Sequence, residues 1–354
     1  MPAPLLQPDA GPDPLHPGYA DSVRAALLGG ALGDALGAAA RPAAPAGTAD
    51  DAGQLRISST TQLTLGTLDG LLEVLEWAAD GLAADGTACL WLSYLRWLRG
   101  QDGTLPAEAP QPPSRPLEDH PVLLERRGPA GTALAALRTG RMGEVRRPVL
   151  PGAGDAGSVP RSAPLGLLPH VGWRTLAQLA VDGAALTHGE AEEQSAAAVH
   201  AFTVQAAVRA RQEGLALPVA AAVEAARAAA GRLTRPAGTT RRLLDEAVTG
   251  TGAAAGPPPG DGDAAPAVLA AGLRSALEAE RRADGPQDAW RRAVAAASRT
   301  GSPSAAGAVA GTVLAAAHGT AALPPDLLAR LDAREAVEDL AGRWLRTVGA
   351  APAV

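Results

Sequence analysis

Few residues in this chain are of a type that does chemistry, and most of those sit among small apolar ones. Asp34 lies within GGALGDALGA, a stretch otherwise built from Gly, Ala and Leu. An acid in apolar surroundings needs a partner for its carboxylate. Asp34 is therefore either an acceptor for the N-terminus of a neighbouring helix or a support for residues at a site. Ser58, Ser59, Thr60 and Thr61 form a hydroxyl run, whose oxygens can accept the unpaired N–H groups of a first helical turn. Gly152, Gly154 and Gly157 surround the segment GDAGS, where backbone N–H groups free of side-chain cover can meet an anion. A plain glycine-rich surface loop is the other reading. His188 precedes Gly189 and is either a cap for carbonyls at a helix C-terminus or a ligand contact. His16, His120, His170, His200 and His318 show no metal-ligand spacing to one another. Cys89 is the single cysteine, which excludes an intrachain disulfide framework and a cysteine-rich zinc site.

Helices must position these residues. Leu68, Leu71, Leu72, Leu75 and Ala79 fall at i, i+3, i+4, i+7 and i+11, one face of an amphipathic helix over 61–80 that the hydroxyl run opens. Similar patterns cover about 22–38, 84–99, 131–139, 173–187, 191–213, 218–231, 240–248, 267–283, 287–298, 305–317 and 325–347. Ala, Leu, Glu and Arg favour helix, and residues that favour strands are thin, with Phe202 and Ile57 the only Phe and Ile. The expected fold class is all-α, a compact multi-helix domain. In the first helix Gly29, Gly33 and Gly37 recur every four residues; each costs about 0.5–1 kcal/mol against Ala, so the strip implies close helix packing or ligand contact. The six tryptophans, Trp77, Trp91, Trp97, Trp173, Trp290 and Trp344, lie in helical patterns and read as core anchors. Pro- and Gly-rich interruptions fall at 1–20, 40–54, 101–122, 142–164 and 250–266. The first reads as a mobile tail and the last as a flexible connection. The expected organisation is a tail at 1–20, one helical domain at 21–348 and a short tail at 349–354.

The chain has 354 residues, 47% hydrophobic and 19% charged, which excludes a disordered or fibrous protein. Gly and Pro make up about a fifth, less than the roughly 25–30% of low-complexity chains. The formal charge is −6, every basic residue is Arg, and no long basic stripe occurs, so nucleic acid is not an expected partner. The first twenty residues have neither a basic start nor an unbroken apolar stretch, and no later run reaches the ~18 apolar residues that span a bilayer. With a single cysteine, a cytoplasmic protein without a membrane partner is expected.

Four segments carry a resemblance. AALLGGALGDALGA, ISSTTQLTLGTLDGLLE, AALTHG and SPSAAGAVAGTVLAAAHG, in this order and at these separations, look like landmarks of the ADP-ribosylglycohydrolases. SYLRWLRGQ, RRGPAGTALAALRTGRMG and LLARLDAREAVEDLAGRWL are similar to further segments of bacterial members, so the resemblance spans about 22–347. It implies an all-α fold, two Mg²⁺ or Mn²⁺ ions, and cleavage of the glycosidic bond joining ADP-ribose to a side chain. It also implies metal ligands at Ser58, Ser59 and Thr60, where the family reads Thr or Ser followed by two Asp. Ser302 and Ser304 stand where the family has two further Asp, and Ala305 where it has Ser or Thr.

This chain departs from the family at each of those carboxylates. Hard divalent cations want charged oxygens, and neutral hydroxyls cannot balance two ions placed close together. Pro303 is expected to alter the backbone between Ser302 and Ser304. Asp50 and Asp51 lie upstream, in a loop rather than at a helix start. No metal cofactor is therefore expected. The resemblance leaves Asp34, Gly152, Gly154, Gly157, Arg161 and His188 as ligand-binding candidates. The glycine loop matches with about a one-residue offset, and Arg161 stands where the family has an Arg ahead of its Ala-Pro. The expected function is that of a catalytically impaired family member that binds ADP-ribose or an ADP-ribosylated protein. Two alternatives stay open: an active hydrolase with a rearranged site, and a structural or interaction module.

Overall fold

The computed structural model describes residues 4–40, 53–128, 130–250 and 264–350. Its helices in chain order begin with α1 (Pro17–Ala39), α2 (Ser59–Ala79), α3 (Gly86–Asp102), α4 (Gly131–Leu137) and α5 (Trp173–Ala185). Next come α6 (Ala191–Gln212), α7 (Pro218–Ala230), α8 (Gly238–Thr249) and α9 (Ala265–Arg282). The last are α10 (Pro286–Ala297), α11 (Pro303–His318), α12 (Pro325–Leu328) and α13 (Arg334–Thr347). Among the described residues the only strand-like pairings are two isolated bridges. No described helix is long and apolar enough to cross a membrane.

α1 and α11 run antiparallel with their backbones in contact. A Cβ added at Gly33 would lie 2.1 Å from the Gly307 carbonyl oxygen, and one at Gly37 would lie 2.2 Å from that of Pro303. Gly29 and Gly311 meet in the same way. The four-residue glycine spacing on α1 is thus a packing device, since any side chain there would push the helices apart. The pairing sets the C-terminal turn of α1 beside the N-terminus of α11. α6 is buried around nearly its whole circumference, including Phe202, as expected of a helix with no sustained polar face.

Three expectations change. The segment read as a mobile tail is packed from residue 4 onward: Leu5 and Leu6 are buried, and the backbone N–H groups of Trp173 and His170 donate to the carbonyls of Gln7 and Pro12 at 2.9 and 3.1 Å. Its prolines do not prevent docking, because an extended strap needs few hydrogen bonds of its own. The single helix expected over 325–347 is broken between α12 and α13. There Leu55 bridges Leu331, and the Asp332 carboxylate accepts the Ile57 N–H at 3.1 Å and binds Arg127, so tertiary bonds outbid helical ones. Of the tryptophans, Trp97, Trp290 and Trp344 are fully buried, whereas Trp77 is 45% exposed. The connection expected at 250–266 falls largely outside the described residues.

Candidate functional site

Three helix ends meet at one cleft of about 760 Å³. Its walls are the last turn of α1, Ser58, Ser59 and Thr60 at the start of α2, and Ser302, Ser304 and Ala305 at the start of α11. The chain thus brings together all six positions expected to correspond to the metal ligands. Ser58 is the N-cap of α2, its hydroxyl accepting from the Thr60 N–H at 3.1 Å. Pro303, expected to disturb the backbone, instead takes the first position of α11, where a fixed φ and a missing N–H suit a helix.

Asp34 lies beneath this floor, wholly buried. One carboxylate oxygen accepts from the Ser58 and Thr61 N–H groups at 2.8 and 3.1 Å and from the Thr61 hydroxyl at 2.6 Å. The other accepts from the Ser58 hydroxyl at 2.6 Å. Asp34 is therefore the acceptor for a neighbouring helix N-terminus, the first of the two roles read from sequence. Burial pushes its pKa above the usual carboxylate value, against the pull of those four donors.

The glycine loop contributes less than the sequence implied. Gly157 lines the cleft with Asp155 and Ala156, while Gly152 and Gly154 do not. At Gly154 a Cβ would lie 2.6 Å from the Glu193 carboxyl carbon, so a side chain there would require that carboxylate to move. The side chain that enters the cleft is Asp155, which sequence reading passed over. Its one local signal was the spacing Asp-x-Gly, and its carboxylate accepts the Gly157 N–H at 2.7 Å.

His188 and Arg161 form the support of Asp155 and do not line the cleft. The His188 imidazole is buried, with Nε2 3.0 Å from Asp155 and Nδ1 2.7 Å from the Thr187 hydroxyl. Burial, together with the nearby Arg161 charge, lowers its pKa, so the ring is neutral at neutral pH. Nε2–H then donates to Asp155, and bare Nδ1 accepts from Thr187. The Thr187 oxygen in turn accepts from Arg161 at 2.8 Å. Burial pushes the Asp155 carboxyl up, but the hydrogen bonds from His188 and Gly157 outweigh it and hold its pKa well below the usual range. The carbonyls at the end of α5 are met by Arg161, which donates to Gly183 and Ala184 at 3.1 and 3.4 Å. The capping role considered for His188 thus belongs to Arg161, whose guanidinium also lies over the Tyr94 ring, 4.7 Å from its centroid.

Charge completes the picture. Asp155 is the only carboxylate on the cleft wall among the described residues, against Arg56, Arg126 and Arg127. Arg127 is tied to Asp332 and Glu125, whereas the Arg126 side chain is 70% exposed and lies 3.8 Å from Asp102. These arginines were not singled out from sequence, because nothing local separates them from other surface cations. No group of three or more His, Cys, Asp or Glu among the described residues is arranged to hold a metal ion. Asp50 and Asp51 lie outside the described residues.

An all-α scaffold with three helix ends around a nucleotide-sized cleft agrees with what sequence comparison finds. The ADP-ribosylglycohydrolase family model matches residues 15–352, and the chain belongs to that family. Among solved structures it is similar to one described as "ADP-ribosylglycohydrolase-related protein complex", at 25% identity and a TM-score of 0.56, over 93% of this chain and 98% of that one. A search of curated proteins finds no match.

Proposed function

We propose that this family member works without the dinuclear metal centre and that the cleft between α1, α2 and α11 binds ADP-ribose or an ADP-ribosylated protein. The observation that carries the proposal is the charge of the wall. Where two divalent ions would need several carboxylates, the six corresponding positions are Ser, Thr and Ala, and among the described residues the wall carries one acid and three arginines, each of them beside a carboxylate just outside it. Such a wall lacks the carboxylates that two divalent ions need and offers guanidinium donors to the diphosphate of ADP-ribose. Charged guanidinium donors and the backbone N–H groups near Gly157 suit phosphate oxygens. Among the described residues an active hydrolase with a rearranged site would rest on Asp155 alone. A carboxylate held well below its usual pKa is a weak proton acceptor, and glycoside cleavage ordinarily needs a second carboxyl group as acid. A cytoplasmic location is part of the same proposal and rests on the single cysteine.

Calorimetric titration with ADP-ribose, with Mg²⁺ and with a chelator, tests it. Binding is expected to be the same in both, with slowed amide exchange over 152–157. No release of ADP-ribose from modified arginine or serine is expected on adding Mg²⁺ or Mn²⁺. Metal-dependent turnover that a chelator abolishes would overturn the loss of the metal centre. Absence of both heat and protection at saturating ADP-ribose would leave the interaction module as the function.

A further inference from the structure

A second cavity, of about 840 Å³, shares no lining residue with the cleft. It lies between the N-terminal ends of α3 and α5, the turn around Glu144 and Arg146, and the connection from α7 to α8. Four arginines line it: Arg146, Arg174, Arg232 and Arg235. None of the four forms an ion pair with a described residue. The three acids on the same wall are already engaged. Asp85 accepts the Thr87 and Ala88 N–H groups at 2.9 and 3.2 Å, Glu144 is held by Arg147 at 2.6 Å, and Asp182 accepts from the Gln178 amide at 2.7 Å.

The guanidinium groups are also held in place. Those of Arg174 and Arg232 lie over the Trp173 ring, 5.8 and 5.6 Å from its centroid, and Trp173 is itself braced edge-on by Phe202 at 6.5 Å. Cation–π contact fixes the position of a cation without neutralising it. Trp173 and Arg174 open α5, a helix of 13 residues whose N-cap, Gly172, offers no side-chain acceptor. Apart from the Trp173 N–H, which donates to the Gln7 carbonyl, its first-turn N–H groups add to the positive field. The Nε atoms of Trp173 and Arg235 are buried donors with no hydrogen-bond partner among the described residues.

We propose that this cavity is a second binding site, for a small molecule carrying two or more adjacent phosphate groups. Several uncompensated guanidinium groups on one concave wall suit closely spaced phosphates, which accept paired N–H donors, better than a single carboxylate. With no ion pair to a described residue, the four guanidinium groups remain available to an anion at this wall although three acids share it.

The test uses the full chain, with inorganic pyrophosphate and ADP as separate probes at low salt. Pyrophosphate is expected to give a calorimetric isotherm that weakens as salt rises, and to slow amide exchange over 143–147 and 232–236. The triple variant Arg174→Gln, Arg232→Gln, Arg235→Gln is expected to bind it about tenfold or more weakly, with an unchanged melting temperature showing that it is folded. Arg126→Gln, in the other cleft, should leave exchange protection at 143–147 and 232–236 intact. Tighter binding of ADP than of pyrophosphate would identify a nucleotide as the occupant, and weaker binding an inorganic diphosphate. Protection confined to 152–157, or an affinity the triple variant does not lower, would overturn the site.

Discussion

At the scale of single residues the structure separates groups that face the cleft from groups that hold them there. Asp155 faces it; His188, Thr187 and Arg161 set its orientation through a chain of hydrogen bonds. Asp34 orders the floor by accepting the Ser58 and Thr61 N–H groups at the start of α2. His200 belongs to neither group and gives the molecule a pH response. It is fully buried, Nδ1 lies 2.8 Å from the Val159 carbonyl oxygen, and Nε2 has no partner. Burial pulls its pKa from 6.5 down to about 4. Its stabilising effect is complete above the unfolded value of about 6.5. It is lost as pH falls toward 4, because the unfolded chain binds a proton that the folded chain refuses. That window corresponds to roughly 3 kcal/mol. Denaturant titrations at steps between pH 7 and 4 should show stability falling, and His200→Asn should flatten the slope while lowering the stability at pH 7. An equal slope in the variant would assign the effect to other groups, His188 first among them.

At the scale of elements, the contact of α1 with α11 determines where the cleft lies. Gly33→Ala puts a methyl group 2.1 Å from a backbone oxygen that cannot move alone, so the helices must separate along their length. A loss of about 2–3 kcal/mol is expected from overpacking of this kind, accompanied by weaker ADP-ribose binding, since α1 and α11 supply two of the cleft walls. Gly342→Ala in α13 is the matched control. There the new Cβ meets only the flexible end of Arg346, at 3.3 Å, and a gain of about 0.5–1 kcal/mol from lower unfolded-state entropy is expected. Thermal melts of the two variants should move in opposite directions; a neutral Gly33→Ala would mean that the helices tolerate separation.

At the scale of the whole molecule, positions far apart in sequence converge on one cleft. Ser59 and Thr60 share a wall with Ser302 and Ser304. The quadruple change Ser59→Asp, Thr60→Asp, Ser302→Asp and Ser304→Asp should therefore restore divalent-ion binding. Without metal the four carboxylates repel one another, and the variant should melt below the parent. Millimolar Mg²⁺ should then raise its melting temperature by several degrees, because a ligand that binds only the folded state stabilises it by mass action. The parent should not respond. An unresponsive variant would mean that the geometry of the metal site has gone along with its charges.

The sequence by itself determined the helical class, most helix positions and the family, because those depend on local periodicity and on the order of short segments. It also located the hydroxyl run at the start of α2 and the glycine strip of α1, each legible within one element. Only the tertiary structure decided which role each candidate has. Asp34 could be placed only once Ser58 and Thr61 stood over it. His188 and Arg161 turned out to support Asp155, and the capping role went to Arg161, because their partners come from other segments of the chain. The break between α12 and α13 and the docking of residues 4–16 likewise arise from long-range backbone bonds. The wall around Trp173 was invisible for the same reason: Arg146, Arg174, Arg232 and Arg235 are ordinary surface cations until folding gathers them on one wall, where the acids beside them bind other partners.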